Sequence, residues 1–193
     1  LADALPNPPR QGEGARRQAP ALWPSLLLFL IGFGADRLHK FLQVSSSCFG
    51  SACLPEAAFH VPASPLGWLG GEYVPVTDFF DYVLVWNTGI SYGLLASVPV
   101  GLLGLLMVVA IIGLGVWWWQ AGSVLVRAGL ALCIGGALSN ALDRLVYGAV
   151  ADFFHFHYGP YSFYIFNLAD AAITVGVILL ILDFVGLGRR RHT

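Results

Sequence analysis

The feature that most restricts this chain is a stretch from about residue 93 to 118 that contains no charged side chain. As a helix it would cross roughly 30 Å of hydrocarbon, the thickness of a bilayer core. Three more apolar stretches of similar length occur at about 22–42, 122–142 and 166–187. The 122–142 stretch carries only Arg127, near its start. The other two are less clean: Asp36, Arg37, His39 and Lys40 lie towards the end of the first, and Asp170 and Asp183 near the two ends of the last. Composition agrees, with 57% hydrophobic and 11% charged residues and a mean hydropathy of +0.72, far from a soluble domain. The expected fold class is an all-α membrane protein: four transmembrane helices with a small extracytoplasmic β-sheet and loop cradle.

Charge bias orients the bundle. Arg10, Arg16 and Arg17 precede the first stretch and Arg189, Arg190 and Arg191 follow the last, so the positive-inside rule puts both ends in the cytoplasm. Four spans satisfy both ends at once. The 2–3 link is then cytoplasmic, with Trp117, Trp118 and Trp119 as headgroup anchors. One domain is expected over 21–188, between a flexible Pro/Gly/Arg-rich tail at 1–20 and a basic cytoplasmic tail at 189–193. A formal net charge of -1 with no long basic run before the extreme C-terminus excludes a nucleic-acid partner.

Two loops remain on the outer side. In the first, a β subregion at about 44–90, Tyr82, Leu84 and Trp86 alternate with Asp81, Val83 and Val85, which predicts a strand after Pro- and Gly-rich turns. The same loop holds Cys48 and Cys53, either a small disulfide or two free thiols, whereas Cys133 in an apolar run is expected to pack. The second loop, ADFFHFHYGPYSFYIFN (151–167), is aromatic throughout, as suits a membrane interface.

With this topology the polar residues collect near one leaflet: Asp36, Lys40, Asn87, Asn140, Asp143, Arg144, Asp152, Asn167 and Asp170. Charge inside a bilayer costs roughly 2.5–3.5 kcal/mol on insertion scales, so such a gathering marks a functional site or ion pairs at helix ends. Asp36 with Lys40, and Asn140 with Asp143 and Arg144, share helix faces, as does Asn167 with Asp170. Asp36–Lys40 and Asp143–Arg144 read equally as local ion pairs that stabilise helix ends. Asp170 has no basic residue within one turn, precedes the apolar run Ala171–Leu182, and needs a dedicated partner to stay charged.

The string GGALSNALDRLVYGAVADFF (135–154) followed by FNLADAAITVG (166–176) resembles the paired signature of lipoprotein signal peptidases. DRLHK (36–40) and FFDYVLVWNTGISYGLL (79–95) resemble that family's other two blocks. The resemblance runs over about 22–187, and Ser139, Arg37, and Ile90 with Ser91 depart from its usual residues. It implies a bacterial inner-membrane aspartic endopeptidase that cleaves prolipoproteins on the amino side of the lipid-modified cysteine, at the extracytoplasmic face. By motif position Asp152 and Asp170 are the catalytic dyad. Two close carboxylates in a poorly hydrated site share a proton, so that one activates water and the other donates to the scissile carbonyl. Asn140 and Asn167 would orient aspartates or substrate backbone, Arg144 with Asp143 would fix the outer end of span three, Asn87 would bond substrate, and Asp36 with Lys40 would be structural. Gly136 falls in the same signature as a supporting position. The implied partners are the lipid-modified prolipoprotein and membrane lipid, the implied enzyme is a monomer, and neither cofactor nor metal is required.

Two other chemistries fit less well. His155 and His157 suit one face of a strand, but there is no H-E-x-x-H and few other ligands stand near them in sequence. No serine is positioned beside a His and an Asp on one side of the membrane. A proton-coupled transporter could also use intramembrane acids, yet these crowd one leaflet, and no internal repeat marks a midplane site.

Overall fold

A computed structural model of the chain describes residues 22–44, 73–88 and 100–186. Cys48 and Cys53, both tails, and most of the 44–90 loop lie outside the described residues. Four helices, α1 (Trp23–Val44), α2 (Val100–Gln120), α3 (Val124–Tyr147) and α4 (Leu168–Phe184), accompany four strands. The strands are β1 (Val74–Thr77), β2 (Phe80–Asn87), β3 (Val150–Tyr158) and β4 (Tyr161–Ser162).

Helix α3 is the hub, packing against α1, α2 and α4. Small residues explain how tightly. A Cβ at Gly129 would stand 2.6 Å from the Gly176 carbonyl oxygen, and one at Gly135 would stand 2.7 Å from that of Phe29. Near the site, a Cβ at Gly136 would collide with the Ala169 carbonyl oxygen and sit 2.8 Å from Ile173 Cγ1. Without side chains at these points the α1, α3 and α4 backbones meet directly, a mode of packing that suits helices in lipid. Cys133 is buried in this seam as a packing residue, its thiol facing the Ile173 carbonyl at 3.7 Å.

Outer faces are apolar. Leu105, Val109, Ile112 and Val116 on α2, and Val177, Ile178 and Ile181 on α4, are exposed, a pattern that water does not favour. Among the described residues α3 alone is both long and apolar enough to rank as a membrane span by length and composition. Helix α4 is 17 residues, about 25 Å, and α1 carries Asp36, Arg37 and Lys40 in its last turns. At the end of the bundle where α2 meets α3, Trp118 Nε1 donates to Ser25 Oγ at 3.2 Å while Trp119 is exposed. Ser123 there caps α3 and donates to Asp183, joining the start of α3 to the end of α4.

The sheet is antiparallel in the order β1-β2-β3-β4. The strand expected at 81–87 is β2, but the sheet is not confined to its loop. Its other long strand, β3, comes from the aromatic 151–167 segment, expected at the interface, where His155 and His157 have the spacing of one strand face. Helix α3 also runs to Tyr147, five residues beyond the expected 142, and ends on Gly148 in the left-handed region at φ 74°. That turn feeds β3 directly. A register shift between Tyr82 and Val85 leaves Val83 and Leu84 inside, and Leu84, Ala151 and Phe153 form the sheet's core. His39 joins α1 to this core: its Nε2 is 2.8 Å from Tyr82 Oη, and its ring meets Phe153 edge-on.

Candidate active site

Asp152 and Asp170 reach one place by different routes. Asp152 is the third residue of β3, held opposite Val85 of β2. Beyond β4 the chain folds back, and the Phe166 carbonyl accepts both Phe153 N and Phe154 N at 2.9 Å. That return brings Asn167, the N-cap of α4, beside Asp152. Asp170 sits in the first turn of α4 in a reciprocal capping box: its N–H donates to Asn167 Oδ1 at 2.9 Å, and its Oδ2 accepts Asn167 N at 3.3 Å. The i, i+3 spacing seen in sequence is therefore a helix-start motif that fixes the carboxylate's direction.

Amides connect the two acids. Asn167 Nδ2 donates to Asp152 Oδ1 at 2.6 Å and to Asn140 Oδ1 at 3.1 Å, while Asn140 Nδ2 donates to Asp170 Oδ1 at 2.8 Å. Asn87 Nδ2 donates to Asp152 Oδ2 at 3.1 Å. Asn87, expected to face substrate, thus touches a carboxylate of the pair. Both acids line a cavity of about 200 Å³ together with Asn87, Asn140 and Arg144, while Met107, Ile165 and Ile173 supply apolar wall. Arg144 Nη1 donates to the Asn140 carbonyl at 3.2 Å. Burial first, and then the neighbouring Asp170 charge, pushes the Asp152 carboxyl up to about 7. Hydrogen bonds from Asn87 and Asn167 and the charge of Lys40 pull the other way without cancelling this.

Behind the cavity lies a second buried set. Lys40 Nζ is 2.8 Å from Asp36 Oδ2 and 2.6 Å from Asp143 Oδ2, and Arg37 also pairs with Asp143. Asp36 further accepts Ser139 Oγ at 2.7 Å and Ala169 N at 3.0 Å, and Asp143 accepts Ala151 N at 3.3 Å. The sequence suggested two local ion pairs at helix ends. The structure has instead one network that binds α1, α3, the start of α4 and the start of β3, because Lys40 is long enough to serve both carboxylates. Lys40 also donates to Asn140 Oδ1 at 3.2 Å, which links this network to the cavity. Ser139 and Arg37, noted in the sequence only as departures, are members of it. Ser139 lies four residues before Asp143, and that shared helix face was the available signal.

His155 and His157 gain a neighbour that sequence spacing did not offer, Asp81 from β2, whose Oδ2 is 2.9 Å from His155 Nδ1. These three form the one His/Asp grouping of metal-ligand type among the described residues.

Comparison with known proteins bears on the family and the fold. A lipoprotein signal peptidase of Methylorubrum extorquens is 54% identical over 111 residues, which cover 56% of this chain and 65% of that protein. The chain thus spans just under two thirds of that relative's length. One from Rhodopseudomonas palustris is 51% identical over 117 residues, covering 57% of this chain and 71% of that one. A solved structure described as a bacterial membrane enzyme shares the fold with a TM-score of 0.67 at 21% identity, over 89% of this chain and 93% of that one. The family model for signal peptidase (SPase) II matches residues 28–186, which takes in the sheet and all of the four helices except the first five residues of α1, and the chain belongs to that family.

Proposed function

We propose that this chain is a membrane-embedded aspartic endopeptidase that removes the signal peptide from prolipoproteins, cleaving on the amino side of the lipid-modified cysteine. The observation that carries this reading is that Asp152 of a strand and Asp170 of the helix that follows the sheet line one cavity and are bridged by two amides. A carboxyl that titrates near 7 beside a second carboxyl keeps one proton in the pair at neutral pH. The ionised member takes a proton from water as its oxygen attacks the scissile carbonyl carbon, and the protonated member gives its proton to the carbonyl oxygen. Collapse of the tetrahedral diol breaks the C–N bond: the proton taken from water passes to the leaving amine, and one diol hydroxyl returns its proton to the carboxylate that had protonated the carbonyl oxygen. Every step uses side chains already present.

Four helices crossing the membrane with both termini in the cytoplasm and the sheet on the outer surface fit the apolar outer faces. The substrate's lipid and apolar signal helix would enter from the bilayer between α2 and α4, where Met107 and Ile173 form the wall of the cavity. Hydrophobic anchoring then positions the scissile bond more than side-chain pockets do. The deciding experiment is processing of a lipidated precursor by the reconstituted chain. Asp152→Asn and Asp170→Asn each stop it while the protein stays inserted and folded, and continued processing by either variant removes the dyad. Equal cleavage of lipidated and unlipidated peptide would overturn the lipid anchoring.

A further inference from the structure

Three side chains that peptide cleavage leaves without a task meet on the far face of the sheet. Strand alternation turns Asp152, Phe154 and Phe156 to one face of β3 and His155 and His157 to the other. Asp81 is directly opposite His155 in the β2–β3 ladder, so its carboxylate also reaches the diagonal neighbour, His157. Asp81 Oδ2 lies 2.9 Å from His155 Nδ1 and 3.1 Å from His157 Nε2, and the imidazoles stack with centroids 5.3 Å apart. One donor atom from each residue lies within 4.8 Å of the other two. Ligands 2.0–2.1 Å from a tetrahedral ion stand about 3.3–3.4 Å apart, so small side-chain rotations close this triangle around a cation.

The hydrogen bonds indicate what is wanted there. Ser162 Oγ donates to the Phe163 carbonyl at 3.3 Å and lies 2.7 Å from His155 Nε2; with that donor bond kept, the hydroxyl accepts the N–H of the Nε2–H tautomer. In neutral His155 that leaves the Nδ1 lone pair facing the Asp81 oxygen, two acceptors in contact that need a positive centre between them. A ligating histidine whose other nitrogen donates to an oxygen is the usual arrangement at metal sites. His157 Nε2 is buried and near Asp81, yet no hydrogen bond of good direction satisfies it. The side chains are 12% to 29% exposed, so an ion can reach them.

We propose that Asp81, His155 and His157 bind a borderline divalent transition-metal ion, Zn2+ foremost, with the fourth position open to water. Two imidazoles and one carboxylate favour such ions over Mg2+ or Ca2+. The ion clips β2 to β3 on the face away from Asp152, and the proposal does not depend on the peptidase reading. Zn2+ titrated into the purified full chain in detergent, against a chromogenic chelator, is expected to fill one saturable site. His157→Gln weakens that site at least about tenfold and the pair Asp81→Asn with His155→Gln removes it, whereas Asp152→Asn leaves it unchanged. Zn2+ also raises the Tm of the original chain and not that of His157→Gln, whose metal-free Tm matches the original and shows that it is folded. No saturable binding, binding indifferent to His157→Gln, or binding lost with Asp152→Asn overturns the proposal.

Discussion

Two pairs of acids, all buried except the partly buried Asp170, lie side by side at the same end of this bundle, and their surroundings differ. Asp36 and Asp143 are wholly buried and ion-paired, with Lys40 between them and Arg37 on Asp143. Asp152 and Asp170 receive their hydrogen bonds from Asn87, Asn140, Asn167 and backbone. A cation compensates a buried carboxylate's charge, whereas an amide orients it and offsets only part of the desolvation cost. On the proposed reading the first pair is scaffold and the second shares a proton near neutrality. Asn140 touches both, accepting Lys40 on its carbonyl oxygen and donating to Asp170 from its amide.

Substitutions that exchange the two environments test this contrast. The largest effect is expected from Asp152→Asn or Asp170→Asn: initial rates of precursor processing fall about 10²–10⁴-fold, with helix content by circular dichroism unchanged. A loss under tenfold would mean that this pair is scaffold as well. Next is Lys40→Met, which leaves two buried carboxylates without their shared cation and costs about 3–5 kcal/mol, read as a fall in Tm of roughly 10 °C. A small fall would show that Arg37 suffices alone.

The pH profile sharpens the other half of the comparison. Asp152 is protonated below about 7 and ionised above it, so kcat/KM should decline as pH rises through that value and the shared proton is lost. Asn87→Ala removes a hydrogen bond that lowers the Asp152 pKa. The declining limb then moves to higher pH, and the rate at neutrality drops about tenfold, in keeping with about 1.5–3 kcal/mol for a hydrogen bond to a charged group. A limb that stays in place would show that Asn87 does not act through Asp152. The smallest effect belongs to Gly136→Ala, which touches neither pair: overpacking against Ala169 and Ile173 costs about 1–3 kcal/mol. It should appear as a lower Tm together with a lower kcat, since Ala169 lies between Asn167 and Asp170.

Some of this was readable in one dimension. Apolar stretches located α1, α3 and α4 to within a few residues, apart from the end of α3, because helix-length hydrophobicity is a local property. Alternation in 81–87 marked β2 for the same reason. The partnership of β2 with β3 was not readable, since the alternation that His155 and His157 show marks a strand face but does not name the strand it pairs with. Charged residues were found, but their partners were misjudged: Asp36 and Lys40 are indeed bonded neighbours, yet Asp143 is paired across helices with Lys40 and Arg37. Spacing along a helix reports only contacts within that helix.

From its sequence alone, this chain is committed to an apolar bundle with its acids gathered near one end, because burial preference and chain order are written residue by residue. Which acid meets a cation and which meets an amide was decided by tertiary structure. That choice depends on the close α3–α4 approach at Gly136 and on the return of Phe166 to β3, and it sets the local electrostatics that separate an ion-paired carboxylate from an amide-bonded one.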